Sequence, residues 1–560
     1  MRRDRRNILF VMCDQLRWDY LSCTGHPRLR TPHIARLAAR GVLFSRAYCQ
    51  SPICGSSRMS FYTGRYVDSH GAAWNNFPLK VGEPTLGDHL RPLGMRTALV
   101  GKTHMAADVE GMARLGIDPD SQIGARVAEC GFDPYERDDG LHGAGPDGRY
   151  DPREPRYNDW LRRHGYGGDN PWDDWANAAA DEDGNLLSGW LLRNSSRPAR
   201  VKAEHSETPY MTQRALDFID AAGTEPWCLH LSYIKPHWPC IAPAPYHAMY
   251  TAADVAPAVR SADERRDPHP LYREFMKLRV SRAFSRDEVR AAVIPAYMGL
   301  VTQIDDAIGA LMEGLRARGL LESTLIVFTS DHGDYLGDHW LGEKDLFHDP
   351  SVKIPLIVVD PSPEADAARG TVCEALVESI DLAPTFVEFA GGEVPAHILE
   401  GRSLRPWLHG RPPSRWRQAA ISEYDYSMTP AAEALGVAPI DARAFMVRDE
   451  RCKLVHAEGM RPMLFDLAAD PHELVDLGAD PAHAAQCERL LAMLNRWARR
   501  QSQRTTISDA QIEARRGGSE RKGVLIGYWD EAELPAEVLP EKWRGAPGRR
   551  QPAARGQRAR

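Results

Sequence analysis

The sequence predicts an α/β fold in which a large mixed sheet is sandwiched by helices and a small antiparallel C-terminal subdomain follows. Short aliphatic and β-branched runs recur along the chain, and helix-length segments separate them. Runs that are apolar on both faces are typical of a largely parallel sheet covered by helices. Near the C-terminus the pattern changes to short strands that flank a turn. The runs assigned to the large sheet are residues 8–12, 97–100, 228–234, 325–330 and 354–359.

Composition excludes several classes of protein. The chain has 560 residues, 43% hydrophobic and 26% charged, as in an ordinary globular protein with a sizeable core. With 70 Lys and Arg against 77 Asp and Glu, the formal charge is −7, so we expect no nucleic-acid partner. No apolar run is long enough for a signal peptide or a membrane span, and we expect a cytoplasmic protein with no membrane partner. The 10 cysteines lack CxxC pairs, which argues against a disulfide framework or a zinc ribbon.

Changes in composition and in hydrophobic pattern along the chain predict three parts. Residues 1–430 form the main domain, with a loop-rich insertion at about 109–206 that we interpret as a lid or a binding wall. Residues 431–504 form the small α+β subdomain, with strands at 445–449, 453–456 and 463–467 and a helix over 482–499. Residues 505–560 form a polar tail, whose Arg-rich end we expect to be disordered or to lie on a partner subunit.

Polar side chains follow four of the predicted strands. In parallel sheets, ligands bind beyond the carboxyl ends of the strands, so these positions are the first candidates for a site. We therefore expect the side chains at these strand ends to meet at one edge of the sheet. They are Asp14 and Gln15, Lys102 and His104, Lys235 and His237, and Asp331 and His332.

The most informative segment is residues 51–65, SPICGSSRMSFYTGR. Cys54 lies at the predicted start of a helix, and Arg58 follows one turn later on the same side. The N-terminus of a helix carries unpaired N–H groups and positive potential, which favours an ionised or oxyanionic nucleophile. A lone cysteine near an arginine is more often a small buried residue beside a surface charge. The residues around this pair favour the functional interpretation.

This segment resembles the nucleophile motif of the formylglycine-dependent sulfatases and the phosphonate monoester hydrolases of the alkaline phosphatase superfamily. The resemblance extends from Asn7 through 464–467 and 470–473, and it implies an alkaline phosphatase-like catalytic domain over 1–430. In that family the cysteine is oxidised to formylglycine, whose hydrate supplies the attacking hydroxyl. By resemblance Cys54 is that position and Arg58 its partner, and a formylglycine-generating enzyme is an expected partner.

One departure from the family pattern keeps a non-catalytic alternative open. The usual modification signature is C-x-P-x-R, and Ser56 stands where proline is expected. If Cys54 is not matured, the chain would be a catalytically silent binding protein. The presence of Lys102, His104, His237 and Lys344 speaks against that reading. A true alkaline phosphatase or phosphomutase would use Ser or Thr and two metals, and this chain has a cysteine and one evident ligand set.

The resemblance also implies one metal site. The pairs Asp14-Gln15 and Asp331-His332 resemble the family's metal ligands. Oxygen donors with one imidazole suit a hard divalent ion, so we expect Ca²⁺ or Mn²⁺, with Mg²⁺ also compatible. For an isolated Asp-His pair, a helix cap beside a hydrogen-bonded histidine is the commoner explanation. Here, however, the pair belongs to the much narrower pattern of residues 329–334 behind a strand.

The remaining polar set bears on the substrate. Lys102, His104, His237 and Lys344 would surround a tetrahedral oxyanion and supply an acid for the leaving oxygen. The region around Asn75, a predicted substrate-binding residue, looks like that of phosphonate monoester hydrolases. Those enzymes carry Tyr and Thr where this chain has Lys102 and His104, whereas arylsulfatases carry Lys and His.

We therefore predict an aryl or alkyl sulfatase with promiscuous phosphodiesterase or phosphonate hydrolase activity. The alternative is that the phosphonate or phosphodiester activity is the main one. The expected partners are a small sulfate, phosphonate or phosphodiester substrate, the maturing enzyme, and further copies of this chain in a homo-oligomer.

Overall fold

A computed structural model describes residues 6–140, 156–516 and 526–533. The chain separates into two compact units, Met1–Gln501 and Ser502–Arg560. We number strands and helices in chain order. The strands are β1 (Asn7–Asp14), β2 (Val42–Phe44), β3 (Ala47–Tyr48), β4 (Arg96–Gly101), β5 (Asp133–Arg137), β6 (Ala178–Ala180), β7 (Leu186–Ser188), β8 (Trp227–Pro236), β9 (Thr324–Ser330), β10 (Lys353–Ile354), β11 (Leu356–Val359), β12 (Thr371–Cys373), β13 (Val377–Glu378), β14 (Ala420–Asp425), β15 (Arg443–Arg448), β16 (Cys452–Ala457) and β17 (Met463–Asp466).

The helices vary from single turns to one of 31 residues, α11. They are α1 (Pro32–Arg40), α2 (Cys54–Thr63), α3 (Val67–His70), α4 (Leu86–Leu90), α5 (Val109–Leu115), α6 (Gln122–Ala128), α7 (Arg156–Arg163), α8 (Glu207–Ala222), α9 (Pro270–Met276), α10 (Arg279–Phe284), α11 (Asp287–Ala317), α12 (Asp349–Val352), α13 (Leu382–Phe389), α14 (Arg405–Leu408), α15 (Pro430–Leu435), α16 (Ala484–Ala498) and α17 (Asp509–Arg515).

The large sheet has eight strands in the order β12-β2-β11-β9-β1-β8-β4-β5. β1 runs parallel to both of its neighbours, β8 and β9, while β11 is antiparallel to β9 and β2. Alternate residues of β1 enter two different hydrophobic clusters, one containing Phe10 and the other Val11. Side chains of a strand alternate between faces, so both faces of the sheet are covered. The predicted mixed sheet sandwiched by helices is confirmed.

Four of the five predicted strands lie within β1, β4, β8 and β9. The fifth, residues 354–359, is wrong as a single strand of the parallel set. Pro355 separates β10, which pairs with β3 in a small three-stranded sheet, from β11, which runs antiparallel to β9. Proline has no N–H to donate to a strand ladder, and this accounts for the break.

The C-terminal part of the first unit contains the predicted antiparallel subdomain. Its sheet has the order β14-β15-β16-β17, with every pair antiparallel, and α16 packs against it. The first strand, Ala420–Asp425, has no counterpart in the predicted set and lies before residue 431. The domain boundaries themselves stay predictions.

The segment 109–206 is less irregular than its composition indicates. It contains α5, α6, β5, α7 and the hairpin β6-β7, while residues 141–155 lie outside the described residues.

In the second unit, α17 is capped by Ser508, whose Oγ accepts from Gln511 N at 3.2 Å. The Arg-rich end of the predicted tail lies outside the described residues. Among the described residues, no helix has the length and apolar character needed to cross a membrane.

Candidate active site

Neighbouring strands of the large sheet end at one edge and place charged residues there. Asp14 is the last residue of β1, Lys102 follows β4 directly, and Asp331 follows β9 directly. Because β1 lies between β8 and β9, and β8 adjoins β4, these residues converge as parallel strand ends do. The side chains of Asp14 and Asp331 are fully buried, and Lys102 exposes only 4% of its surface.

Helix α2 points its N-terminus into this edge. It begins at Cys54, whose Sγ lies 3.0 Å from His332 Nε2, 3.3 Å from Lys344 Nζ and 3.5 Å from Asp14 Oδ1. Asn75 supports the first turn, because its Oδ1 accepts from Gly55 N at 2.8 Å. The predicted start of the helix at Cys54 is confirmed.

Arg58 lies one turn into α2 and ties the helix to three strand ends. Its Nε donates to Asp331 Oδ2 at 2.8 Å and its Nη2 to Asp14 Oδ2 at 3.3 Å. Its Nη1 donates to Lys102 O and Ser232 Oγ, both at 2.8 Å. Arg58 therefore fixes both carboxylates. Among the described residues, its hydrogen bonds do not include one to Cys54.

The donor set fits a divalent cation. Asp14, Cys54, Asp331 and His332 each offer one ligand atom, and all four atoms lie within 4.8 Å of one another. His332 Nδ1 is hydrogen-bonded to Gly333 O at 2.9 Å, which leaves the Nε2 lone pair facing Asp14 Oδ1 and Asp331 Oδ1, each at 3.7 Å. Two carboxylate oxygens and an imidazole nitrogen this close together form a ligand set that suits a hard divalent cation.

The protonation states of these groups agree with that fit. Burial raises the pKa of Asp14, but Lys102, His237 and Arg58 together hold it well below its ordinary value, so the carboxylate is ionised. Burial lowers the pKa of His332, which keeps the imidazole neutral, as a metal ligand must be.

Gln15 lies beside this donor set with its amide fixed. Its Nε2 donates to Asp334 Oδ2 at 2.6 Å, and its Oε1 accepts from Lys344 Nζ at 3.2 Å. Gln15 also has a positive φ of 66°, and Tyr297 OH donates to its carbonyl at 2.7 Å. Lys344 Nζ contacts both the amide oxygen of Gln15 and Cys54 Sγ, so these two atoms lie around the same lysine.

Two lysines and a histidine complete the ring around Cys54. Lys102 Nζ donates to Asp14 Oδ2 at 2.5 Å, and Lys344 Nζ lies 3.3 Å from His237 Nε2. His237 is part-buried, whereas both lysines are buried. Solvent therefore reaches this ring on the side of His237.

His104 is held by its backbone. It has a positive φ of 54°, and Asp139 Oδ1 accepts from Thr103 N at 3.0 Å and from His104 N at 3.4 Å. His104 Nδ1 is buried and has no hydrogen-bond partner among the described residues. Burial and the neighbouring Lys102 hold the pKa of His104 well below its ordinary value, so the ring is neutral.

The thiol of Cys54 is a poor nucleophile as encoded. Burial raises its pKa to about 12, and Asp14 adds to the effect. The thiolate, the reactive form, is therefore scarce at neutral pH. Ser56 is the third residue of α2, where an N–H group has no partner within the helix. A serine in place of proline at this position leaves the helix intact, and Ser56 Oγ is buried without a partner in the described chain.

The structure brings together most of the predicted site residues. Asp14, Gln15, Cys54, Arg58, Lys102, His237, Asp331, His332 and Lys344 are joined by the contacts above; His104 follows Lys102, and Asn75 contacts the start of α2. Lys235 points elsewhere, because its Nζ donates to Asn177 Oδ1 at 2.7 Å. Asp345 and Asp349 lie outside the ligand set, bound to Tyr424 and Lys453.

Three contributors were missed by sequence reasoning: Ser232, Asp334 and Asp139. Asp334 lies within the narrow pattern at 329–334, which is a usable signal. Ser232 lies inside β8 and looks like any small strand residue. Asp139 lies near 102–104 only because β5 pairs with β4.

The mixed sheet, with catalytic-type side chains at its carboxyl edge, defines a hydrolase of the alkaline phosphatase-like fold. The protein-family model described as "Sulfatase" matches residues 6–139 and 141–392. The chain therefore belongs to the sulfatase family. A second model, "N-sulphoglucosamine sulphohydrolase, C-terminal", matches residues 337–500.

The similar proteins include both a sulfatase and a phosphonate monoester hydrolase. "Multifunctional alkaline phosphatase superfamily protein PehA" of Trinickia caryophylli is 33% identical over 502 residues, covering 86% of this chain and 93% of that protein. An arylsulfatase of Clostridium perfringens is 26% identical over 484 residues, covering 84% of this chain and 90% of that protein. The phosphonate monoester hydrolase structure from Silicibacter pomeroyi has a TM-score of 0.78 at 30% identity, covering 90% of this chain and 98% of that chain.

Proposed function

We propose that this chain hydrolyses aryl or alkyl sulfate esters through formylglycine at position 54 and one divalent metal ion. The observation that carries the proposal is the ring around Cys54, in which Lys344 Nζ lies 3.3 Å from Sγ and Lys102 is joined to Asp14. Such a ring would neutralise the oxygens of a tetrahedral oxyanion. Lys102 and His104 are the residues that the resemblance associates with arylsulfatases, so they favour sulfate esters. We propose weaker activity on phosphodiesters and phosphonate monoesters at the same site.

Four residues would hold the metal: Asp14, Gln15, Asp331 and His332. When bound, a Ca²⁺, Mn²⁺ or Mg²⁺ ion would supply Lewis-acid stabilisation, and hydrated formylglycine would supply the attacking hydroxyl. Arg58 would keep the two carboxylates in place through its hydrogen bonds to both. Lys102 and Lys344 would bind the nonbridging oxygens of the ester group.

Protons can be assigned to atoms of this chain. Lys344 Nζ donates to His237 Nε2 at 3.3 Å, and His237 Nδ1 lies 3.1 Å from Trp238 O, so the Lys344–His237 pair holds a proton beside Cys54. We assign to this pair the protonation of the leaving alkoxide or phenoxide. His104 would accept the proton of the second hydroxyl at position 54, and sulfate would then leave as the aldehyde is regenerated.

A second candidate is that phosphonate monoesters or phosphodiesters are the main substrates. Two phosphonate monoester hydrolase structures favour it, the one from Silicibacter pomeroyi and one from Agrobacterium radiobacter with a TM-score of 0.75 at 27% identity, covering 88% of this chain and 96% of that one. The similarity to these two structures extends over most of the chain, whereas the evidence from Lys102 and His104 comes from the proposed catalytic residues themselves.

Two measurements test the proposal. Mass spectrometry of the peptide that contains Cys54 should show formylglycine in place of the thiol. The wild type should have a higher kcat/KM for an aryl sulfate than for an aryl phosphonate or a diester with the same leaving group, and Cys54→Ala should lose all three activities. Cys373→Ala, at a cysteine outside the site, is the control and should keep them. An unmodified thiol in active enzyme would contradict the formylglycine step, and equal rates for wild type and Cys54→Ala would favour the silent binding protein.

The proposal includes its cellular setting. We propose a cytoplasmic homo-oligomer that is matured by a formylglycine-generating enzyme, which would act on the segment around Cys54 before folding. The burial of Cys54 supports that order, because its side chain has no exposed surface in the folded chain.

A further inference from the structure

A cavity of about 680 Å³ lies away from the residues around Cys54. It is bounded by α16, by the segment that leads into β14, and by Tyr66, three residues beyond the end of α2. Because α2 has ten residues, its two ends are about 15 Å apart, and Cys54 is at the other end. We call it the arginine cavity; its principal lining residues are Tyr66, Arg402, Arg415, Trp416, Arg496 and Trp497.

Three of these arginines have no counter-charge. Arg402, Arg415 and Arg496 are exposed, and their guanidinium groups make no hydrogen bond or ion pair with any residue in the described part of the chain. A fourth arginine of the lining, Arg417, is neutralised by Glu378 and Asp381. The lining also contains the carboxylate of Glu400, which pairs with Arg500 at 2.6 Å and so does not neutralise the other three arginines. Arg402, Arg415 and Arg496 therefore leave three unpaired positive charges in the lining, and an anionic ligand would reduce the repulsion between them.

The walls of the arginine cavity are fixed by contacts outside it. Trp416 Nε1 donates to Leu376 O at 2.6 Å, and the Cζ of Arg402 lies 5.8 Å from the centroid of the Trp416 ring. Tyr66 OH donates to Glu378 Oε2 at 2.7 Å. Trp416 and Tyr66 are therefore fixed parts of the wall, and Arg402 lies beside Trp416 with its N–H edges left for a ligand.

Helix α16 supplies one wall through its own periodicity. Met493, Arg496 and Trp497 are three and four residues apart, so they lie on one face of the helix. Trp497 is held by an edge-to-face contact with Tyr66 at 5.2 Å, and this fixes the rotation of the helix. Arg496 is thereby presented beside the cavity.

We propose that the arginine cavity binds a small organic anion that carries more than one sulfate or phosphate group. The planar N–H fork of arginine matches the oxygens of these groups and can bind two of them at once. A cavity of about 680 Å³ is far larger than one tetrahedral anion needs, and three separated guanidiniums fit two or more anionic groups. This inference does not depend on the substrate of the catalytic site.

Isothermal titration calorimetry tests the proposal in a Cys54→Ala background, where turnover is excluded. The probes are naphthalene-1,5-disulfonate and glucose 1,6-bisphosphate, and the probe that binds distinguishes a sulfate-type from a phosphate-type ligand. The variant is Arg402→Gln/Arg415→Gln/Arg496→Gln, and we expect its affinity to be at least about tenfold lower. The matched control replaces three exposed arginines elsewhere, Arg114, Arg193 and Arg279, with Gln, and should bind as the background does.

The outcomes separate the arginine cavity from the catalytic site and from non-specific charge effects. With Cys54 present, the cavity variant should keep the kcat and KM of the wild type while losing the probe. Unchanged probe affinity, an equal loss in the control variant, or no binding of either probe would overturn the proposal. If the triple variant melts at a lower temperature, the single exposed substitution Arg496→Glu carries the test, and full affinity in that folded variant would equally overturn it.

Discussion

Arg58 donates from Nε to Asp331 Oδ2 at 2.8 Å, and neither side chain exposes any surface to solvent. The pair joins the helix that begins at Cys54 to the end of β9. Arg58 also reaches Asp14, at the end of β1, so one guanidinium sets the distance between the two carboxylates of the donor set. The stability of the fold and the geometry of the site therefore depend on the same ion pair.

Replacing Arg58 by Ala should lower the free energy of unfolding by about 3–5 kcal/mol, because it leaves Asp331 buried without its partner. Urea unfolding measures the change. Arg58→Lys should recover only part of it, since a lysine cannot reach both carboxylates with a planar fork. The control is Arg114→Ala at an exposed position. Wild-type stability and activity in Arg58→Ala would contradict the central role of the pair.

Metal removal should abolish activity and lower the melting temperature, because Asp14, Asp331 and the lone pair of His332 would then face one another without a cation. Exhaustive chelation followed by Ca²⁺ or Mn²⁺ tests this, and metal at 100 times its Kd should restore about 2.7 kcal/mol. In Asp331→Asn the melting temperature should respond less to added metal. Full activity in protein shown to be metal-free by elemental analysis would refute the metal site.

Asp139 should act as a positioning residue for His104. Asp139→Ala removes the acceptor for Thr103 N and His104 N, and we expect kcat for an aryl sulfate to fall by about tenfold to a hundredfold with KM little changed. Asp139→Asn retains an Oδ1 acceptor and should recover most of kcat. Equal losses in the two variants would instead assign the effect to the charge of Asp139 and its pair with Arg137.

The sequence predicted the central strands and their polar ends because each is a local pattern: an apolar run, then charged residues. The same reasoning predicted the start of α2. It failed where a contact depends on sheet order. Asp139 reaches residue 104 because β5 happens to pair with β4, and no spacing in the sequence encodes that pairing.

The break between β10 and β11 at Pro355 could not be predicted from the sequence for a different reason. The run 354–359 is apolar throughout, so hydrophobicity alone indicates one strand, and nothing in it reports that β11 runs antiparallel to β9. The orientation of the Gln15 side chain could not be predicted from the sequence either. Its amide is oriented by Asp334, more than 300 residues away in sequence.

Stability should fall as pH rises through the titration of Glu423. Burial raises the pKa of this carboxyl to about 8, although Asp68 N donates to it. Between its unfolded pKa and about 8 the folded chain binds the proton more tightly, so the free energy of unfolding decreases with pH by up to about 1.4 kcal/mol per pH unit. Glu423→Gln should remove this slope and Glu433→Gln, at an exposed site, should not. Parallel pH profiles for Glu423→Gln and wild type between pH 6 and 9 would contradict the prediction.

Substrate preference should depend on Lys102 and His104. Lys102 donates to Asp14, which contacts Cys54, and His104 lies two residues further along the chain, where the charge of Lys102 acts on its ring. A cation and a proton acceptor directed at developing charge contribute chiefly in the transition state, and removing one such group typically lowers the rate by about 10²–10³.

The double variant Lys102→Ala/His104→Ala should therefore lose more kcat/KM on an aryl sulfate than on an aryl phosphonate with the same leaving group. Lys235→Met, at a buried lysine near the same edge that donates to Asn177, is the matched control for loss of a buried cation. It should change the two rates by the same factor. If the wild type prefers the phosphonate and the double variant loses nothing on sulfate, the global similarity to phosphonate monoester hydrolases would identify the main substrate, and the local pair would not.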